Sequence, residues 1–286
     1  MKVPEFFREL GVSAESRLES RWTTVRGCRI HSRGCCRRDA FEAATDADAG
    51  ATQADGVPFL LVHGLVISSL YFIPLAEVIA GAGHEVHAID LPGFGRSEGP
   101  REVLSVAELA DWTIEWMAAS GFSRCHIIGN SLGCETGAYV AAKAPERVAT
   151  LTMIGPTLDP AARAVLTQTL RLLRDALHEP FALWTNWAFD WFRAGPRRAL
   201  GMTREMFRDH IERQLPQVTA PTLVMRGGMD PTVPQSAAEA AARLLPHGEL
   251  VVMEGEWHCV HYTDPVGVWR EVEAFLQRLK ADMLKR

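Results

Sequence analysis

The sequence lacks a long apolar stretch, a regular cysteine framework and any dense cluster of basic residues. No segment reaches the ~18 consecutive apolar residues that a membrane-spanning helix needs. Residues 1–10 have no uninterrupted apolar run of the kind that secretory signals contain. We therefore expect neither a membrane span nor a secretion signal. The two basic groups, at 33–38 and 193–198, are short, and with a net charge of −5 they argue against a nucleic-acid partner.

The cysteines are few and irregularly spaced. They are Cys28, Cys35, Cys36, Cys125, Cys134 and Cys259. Without paired spacings they predict no disulfide framework, and we expect reduced thiols in a cytoplasmic protein. His258 and His261 flank Cys259, but no further ligand nearby completes a tetrahedral set. We therefore expect no metal and no cofactor.

What the chain does have is the composition of a globular protein and a regular alternation of predicted strands and helices. Of its 286 residues, 47% are hydrophobic and 23% are charged, which is enough for a sizeable core. From Val57 onwards the pattern predicts a mostly parallel central sheet flanked by helices, the α/β class. The predicted strands are 58–62, 84–90, 125–129, 148–154, 222–226 and 249–253, and the predicted helices are 68–83, 106–120, 131–143, 235–244 and 265–284.

Three regions fall outside this alternation. Residues 21–26 and 29–32 predict an antiparallel hairpin that turns at Gly27. Residues 34–56 are rich in Ala, Asp and Thr, and we interpret them as a flexible insertion. Residues 157–217 predict helices without a strand, so we expect a helical lid on a core made of 1–156 and 218–286.

The sequence is organised around Gly129-Asn130-Ser131-Leu132-Gly133, between a predicted strand and a predicted helix. A sharp turn at this point would force the serine backbone into a strained conformation and lift its hydroxyl clear of the sheet. The flanking glycines would allow the close approach of strand and helix. We interpret Ser131 as a nucleophile.

A serine nucleophile needs a base, a group that orients the base, and donors for an oxyanion. His258 follows the last predicted strand, and we favour it as the base over His261. Asp230 follows another apolar strand, and we favour it as the orienting acid. Asp159, which follows an earlier strand, stays open as a rival.

The remaining candidates surround the expected reaction centre. Gly64 permits a turn that would aim the N–H of Leu65 inward, and the N–H of Leu132 begins the following helix. These two N–H groups are the predicted oxyanion donors. The substrate pocket is expected to include His63, Gly64, Asn130, Trp184, Trp187 and Trp191. For His63 a purely structural role is the alternative.

Taken in chain order, His63-Gly64, the loop 90–97, the Ser131 motif, Asp230 and His258 resemble the α/β-hydrolase superfamily. The resemblance covers the chain from about Val57 to its end and is to the lidded, esterase-like members with a serine nucleophile. It implies that Ser131 attacks, that His258 acts first as base and then as acid, and that Asp230 orients it. A serine at this position disfavours the members of the fold that attack with aspartate.

Three functions are compatible with these residues. The favoured one is hydrolysis of a small-to-medium apolar carboxylic ester, lactone or thioester through an acyl-enzyme. The second is hydrolysis of a C–C bond in diketones of the meta-cleavage type, which the Asn130-Ser131 pair and the lid resemble. The third is a catalytically silent ligand-binding protein. The expected partner is a small molecule, and a homodimer is left open.

Overall fold

The computed structural model describes residues 17–36, 56–156, 171, 174–175 and 178–285. Within these residues, eight strands form one sheet in the order β1-β2-β4-β3-β5-β6-β7-β8. The strands are β1 (Glu19–Val25), β2 (Cys28–Cys35), β3 (Phe59–Val62), β4 (Val86–Ile89), β5 (Cys125–Asn130), β6 (Val148–Ile154), β7 (Thr222–Gly227) and β8 (Gly248–Met253). From β4 to β8 all neighbouring strands run parallel, which confirms the predicted α/β fold class.

Helices connect the strands and close the chain. They are α1 (Ile73–Gly81), α2 (Val106–Ala119), α3 (Leu132–Lys143), α4 (Phe181–Ala194), α5 (Pro196–Arg208), α6 (Gln235–Leu244), α7 (Val260–Thr263) and α8 (Pro265–Leu284). Single 3₁₀ turns lie at Ser69–Phe72, Pro145–Arg147, Ile211–Arg213 and Leu215–Gln217. In the part of the chain that the structure describes, none of the helices combines the length and the apolar character needed to cross a bilayer.

The predicted hairpin forms the edge of the sheet. β1 and β2 pair antiparallel from Glu19–Gly34 to Val25–Cys28, and the chain turns through Arg26 and Gly27. β2 then pairs antiparallel with β4, so the hairpin extends the parallel sheet. β2 runs to Cys35, so Gly34 and Cys35, which the prediction assigned to the insertion 34–56, belong to the sheet. Residues 37–55 of the predicted insertion lie outside the described residues.

The core has two apolar layers, one on each face of the sheet, because successive side chains of a strand point to opposite faces. In β3, Leu60 and Val62 pack into one layer, and Phe59 and Leu61 pack into the other. Helices α2, α3 and α6 cover the first layer, and α1 and α8 cover the second. All four β3 side chains are buried, and each such burial contributes ~1.5–3 kcal/mol.

Helix α2 shows how local sequence sets an element boundary. Its N-cap, Ser105, accepts a hydrogen bond from the Glu108 N–H, and the Glu108 carboxylate accepts one from the Ser105 N–H at 2.7 Å. This reciprocal pair satisfies two N–H groups that the first turn leaves without partners. The helix then buries Leu109, Trp112 and Trp116 at helical spacing.

Helix α4 carries the aromatic cluster of the predicted lid. It buries an acidic side chain and exposes large aromatic ones, whereas helices usually bury apolar side chains. Its buried residues are Leu183 and Asp190, whereas Phe181 and Phe192 are more than four-fifths exposed. Phe181 and Phe192 therefore lie outside the core, although aromatic residues at helical spacing usually pack into one. Residues 157–170 of the predicted lid lie outside the described residues.

Candidate active site

Ser131 stands at a sharp turn between β5 and α3. Its backbone has φ 53° and ψ −121°, a conformation that costs a non-glycine residue ~1–3 kcal/mol. The flanking glycines make the turn sterically feasible. A Cβ at Gly133 would overlap the carbonyl oxygen of Val62, and one at Gly129 would overlap the Gly133 carbonyl group. The surrounding sheet and helix therefore hold the serine in this strained position.

Two neighbouring strand ends surround Ser131. Its N–H donates to the carbonyl oxygen of Ile154, at the end of β6, at 3.1 Å. On the other side lies Gly64, after β3, where an added Cβ would lie 3.3 Å from the Cβ of Ser131. Leu132 is the first residue of α3, and the first N–H groups of a helix have no partner within the helix. Leu65 directly follows Gly64, so both predicted oxyanion donors belong to segments next to Ser131.

Asp230 lies in a tightly bonded loop after β7. Its Oδ1 accepts hydrogen bonds from the N–H groups of Thr232 at 2.7 Å and Val233 at 3.1 Å. From the end of β7, the guanidinium of Arg226 donates to the carbonyl oxygens of Gly228, Asp230 and Val233 in this loop. These bonds fix the Asp230 carboxylate, which is 2% exposed, and leave its Oδ2 for another donor.

That donor is His258. Its Nδ1 lies 2.7 Å from Oδ2 of Asp230, and both side chains are buried. Burial lowers the pKa of His258, but the charge of Asp230, its hydrogen bond and the charges of Asp175 and Glu179 outweigh burial and raise the pKa to about 9. Nε2, on the other edge of the ring, is buried and makes no hydrogen bond to Ser131 or to any other described residue.

The contact of the His258 ring with Gly155 places the ring close to the backbone that binds Ser131. Gly155 follows β6 with a φ of 60°, and a Cβ there would lie 2.7 Å from Cε1 of His258. The preceding residue, Ile154, is the one that accepts the Ser131 N–H. The imidazole therefore packs on the backbone adjacent to the hydrogen-bond partner of Ser131. Hydrogen bonds between a nucleophile and its base commonly tighten only when a substrate is bound.

The two rival residues have different positions. His261 is fully buried, with its ring against Tyr71 at 4.5 Å and Phe72 at 4.4 Å between ring centroids. Burial, together with the nearby charge of His258, lowers its pKa well below the usual value. This apolar setting suits a neutral core histidine better than a base. Asp159 lies outside the described residues.

Asn130 belongs to the framework behind the site. Its amide nitrogen donates to the carbonyl oxygens of Ile154 at 3.0 Å and His258 at 3.3 Å, and its Oδ1 accepts the Tyr71 hydroxyl at 3.0 Å. The Tyr71 oxygen also accepts the N–H of Gly64. With Asn130 1% exposed, these contacts favour a supporting role over the predicted place in the pocket wall. Tyr71 was missed by the sequence reasoning, since no motif marks it.

His63 is likewise enclosed. It is fully buried, its Nε2 accepts the Leu91 N–H at 2.9 Å, and its Nδ1 lies 2.8 Å from the Gly64 carbonyl oxygen. The ring thereby connects the end of β3 to the loop after β4, which favours the structural alternative. Burial lowers the pKa of His63, so the neutral form is preferred.

The loop 90–97 is anchored by Asp90. This buried carboxylate accepts hydrogen bonds from His31 Nδ1 at 2.7 Å, the Ser69 N–H at 2.7 Å and the Arg96 N–H at 2.9 Å. Burial raises its pKa, but the hydrogen bond and charge of His31 and the other donors outweigh burial and lower the pKa to about 2. The loop is therefore held by an ionised carboxylate at the end of β4.

The three predicted pocket tryptophans all lie on α4. Trp184 and Trp191 are partly buried, and Trp187 is 42% exposed. The rings of Trp184 and Trp187 meet edge to face, with centroids 6.3 Å apart. Among the described residues, no three His, Cys, Asp or Glu side chains are grouped as metal ligands would be.

Comparisons with known proteins agree with the α/β fold. Residues 57–194 match a family model described as alpha/beta hydrolase fold, and residues 204–285 match one described as TAP-like protein. The chain is similar in fold to the crystal structure of a putative lipase from Acinetobacter baumannii AYE. The TM-score is 0.76 at 18% identity, and the alignment covers 99% of this chain and 98% of that one.

Two relatives in sequence differ in the substrates their names state. A putative carbamate hydrolase, RutD, of Variovorax paradoxus (strain S110) is 29% identical over 262 residues, which cover 80% of this chain and 94% of the relative. A 2-hydroxy-6-oxononadienedioate/2-hydroxy-6-oxononatrienedioate hydrolase of Burkholderia vietnamiensis (strain G4 / LMG 22486) is 25% identical over 249 residues. That alignment covers 73% of this chain and 80% of the relative. Both relatives are named as hydrolases.

Proposed function

From the premise that this chain is a hydrolase of the α/β-hydrolase superfamily, we propose that it is a serine hydrolase of small-to-medium apolar carboxylic esters, lactones or thioesters. The proposal rests on the buried pair of His258 and Asp230. The imidazole ring of His258 packs against Gly155, close to the strained Ser131. A base that is oriented on one edge and unpartnered on the other suits proton transfer from a serine hydroxyl.

The proposed reaction proceeds through an acyl-enzyme. Oγ of Ser131 attacks the substrate carbonyl carbon and loses its proton to Nε2 of His258, and Asp230 stabilises the resulting imidazolium. The N–H groups of Leu65 and Leu132 would stabilise the negative oxygen of the tetrahedral intermediate. The imidazolium then protonates the leaving alcohol, the C–O bond breaks, and Ser131 remains acylated. Water, deprotonated by His258, attacks the acyl carbon and releases the acid and the free serine.

The apolar preference rests on the lid. We assign residues 157–217 to a lid over the carboxyl ends of the strands, on a core of 1–156 and 218–286. Trp184 and Trp191 of α4 are partly buried, which supports their use as apolar pocket walls. Gly64 would form the wall next to Ser131, because its backbone lies close to the Cβ of that serine.

A second candidate, C–C bond hydrolysis of meta-cleavage-type diketones, is favoured by one observation. The Burkholderia vietnamiensis relative is named for a substrate of this kind. The Variovorax paradoxus relative extends the question to carbamates, whose carbonyl carbon is open to the same attack. The same three side chains could serve all of these substrates, so the discrimination depends on the pocket.

The test is a substrate panel with the purified protein. It contains nitrophenyl esters of increasing acyl length, a nitrophenyl carbamate and a coloured dienol diketone, each assayed with the wild type and with Ser131→Ala. The proposal predicts a burst of nitrophenol with short and medium esters that the substitution abolishes. Turnover of the diketone alone would support the second candidate. Lack of turnover with every substrate would contradict both and favour a silent ligand-binding protein.

The cysteines support a cytoplasmic location for this activity. Cys28, Cys125, Cys134 and Cys259 are thiols, and Cys125 and Cys134 are buried. Burial raises the pKa of Cys134 well above the usual value and that of Cys125 to about 12. Free thiols persist in a reducing compartment, whereas disulfides form outside it. We therefore extend the proposal to a cytoplasmic enzyme.

A further inference from the structure

A short segment before α4 is attached to the loop that carries His258. Oδ1 of Asp175 accepts the backbone N–H of His258 at 3.2 Å, and Oε1 of Glu179 accepts that of Cys259 at 2.9 Å. Between them, the ring of His178 stacks on Trp257, with centroids 3.9 Å apart and planes at 8°. Three contacts from five consecutive positions therefore hold the His258 loop from the side of the predicted lid.

The two carboxyl groups are held there against a desolvation cost. Asp175 is 5% exposed, and Oε2 of Glu179 is buried without a hydrogen-bond partner among the described residues. Burial raises the pKa of Asp175, and burial together with the charge of Asp175 raises the pKa of Glu179 to about 7. A neutral amide could accept the same backbone N–H groups without this cost. Acids at these two positions therefore bring negative charge close to the His258 loop, which amides would not.

We propose that Asp175, assisted by Glu179, is a positioning residue that fixes the backbone of His258 and stabilises its protonated ring by negative charge. The inference rests on the proposed role of His258 as the base. Asp175 and Glu179 would add negative charge on the side of the predicted lid, and Asp230 provides it from the end of the sheet.

The acidic side chains that face His258 come from two directions. Asp230 approaches from the loop after β7, and Asp175 and Glu179 approach from the segment before α4. Cys259 follows His258 in the same loop and His261 lies in α7, and burial disfavours the charged form of each. The acids are therefore the groups that determine the charge state of the ring. Of the two acids before α4, Asp175 contributes more than Glu179 to raising the pKa of His258.

The variants separate charge from geometry. Asp175→Asn keeps an oxygen acceptor but removes the charge, Asp175→Ala removes both, and Glu179→Gln tests the second acid. The control is Glu108→Gln, because Glu108 also accepts a backbone N–H but lies at the start of α2, away from the site. Circular dichroism of each variant establishes that it is folded.

The first readout is the pKa of His258, measured by NMR titration of ¹⁵N-labelled histidines and assigned by the signal lost in His258→Gln. We expect Asp175→Asn to lower this pKa by about one unit, as loss of a nearby opposite charge does. Glu179→Gln should lower it less, and Glu108→Gln should leave it unchanged. An Asp175→Asn protein whose His258 titrates at the wild-type pH would overturn the inference, and Glu179→Gln repeats the test if that variant does not fold.

The second readout is the pH profile of kcat/KM with the best nitrophenyl ester. Asp175→Asn should move the acid limb to lower pH by the same amount, and Asp175→Ala should also lower the plateau by about tenfold or more. A uniform loss of activity without a shift would indicate a merely structural role and overturn the inference. If the wild type turns over nothing while the NMR shift occurs, the proposed function fails and the electrostatic coupling stands.

Discussion

Nδ1 of His258 and Oδ2 of Asp230 lie 2.7 Å apart, and both residues are at least 95% buried. A carboxylate accepts only, so the neutral imidazole must carry its proton on Nδ1. This leaves a lone pair on Nε2, and Nε2 makes no hydrogen bond to any described residue. The pair therefore selects the tautomer that can take a proton from a neighbouring hydroxyl.

The first prediction concerns which acid orients the base. Asp230→Asn should lower kcat/KM by about 10³–10⁴-fold, because an amide cannot stabilise the imidazolium or enforce the required tautomer. Asp159→Asn serves as the matched substitution and should leave activity near the wild-type level. Steady-state kinetics with a nitrophenyl ester measure both. If the two substitutions exchange their effects, Asp159 is the orienting acid and our assignment is wrong.

The second prediction concerns pH. The base must be neutral to accept a proton, and the pKa of His258 is raised to about 9. Activity should therefore rise through the neutral range and level off only above about pH 9. The measurement is kcat/KM between pH 6 and pH 10, obtained from initial rates of hydrolysis of an ester that is stable at high pH. A midpoint at or below 6.5, the usual histidine value, would contradict the electrostatic description of the site.

The third prediction concerns the close packing at the serine turn. Gly133→Ala should lower the free energy of unfolding by about 3 kcal/mol, because the new methyl group overlaps the Val62 carbonyl oxygen and neither backbone can yield easily. Gly81→Ala is the matched control within a helix. Its new Cβ would meet only the end of the flexible Arg17 side chain, at 3.3 Å. Urea unfolding of both variants should show a loss for the first and no loss for the second.

The fourth prediction concerns Asp90. Its pKa is lowered from 3.8 to about 2, so ionised Asp90 stabilises the fold above pH 4 and loses this effect as the pH falls towards 2. The shift corresponds to ~2 kcal/mol. Asp90→Asn should therefore be less stable than the wild type at pH 6, with the difference shrinking at pH 3. Asp282→Asn, which removes an exposed ion pair, should show no such pH-dependent difference.

Much of the fold could be predicted from local patterns. The four apolar residues of β3 and the mostly apolar segment of β6 predicted buried parallel strands, and these strands lie inside the sheet. The predicted helix at 235–244 matches α6 at both ends. Such elements are predictable because burial on both faces, or one amphipathic face, leaves a periodic signal.

The supporting residues could not be predicted in the same way. Tyr71 bonds both the Gly64 turn and Asn130, but its position is set by the packing of the turn 69–72 and leaves no motif. Asp175 and Glu179 lie in a segment whose contacts with the His258 loop span about eighty positions of the chain. The burial of Asp190 among exposed phenylalanines contradicts the hydrophobic pattern of α4 itself. Long-range contacts of this kind appear only in three dimensions.

The central claim is that Ser131 is a nucleophile activated by His258. It is tested most directly by labelling with a fluorophosphonate probe, followed by mass spectrometry of the labelled peptide. We predict one covalent adduct, on Ser131, which is absent in Ser131→Ala and forms at least about 10²-fold more slowly in His258→Gln. A wild-type protein that stays unlabelled, or that carries the adduct on another residue, would contradict the account.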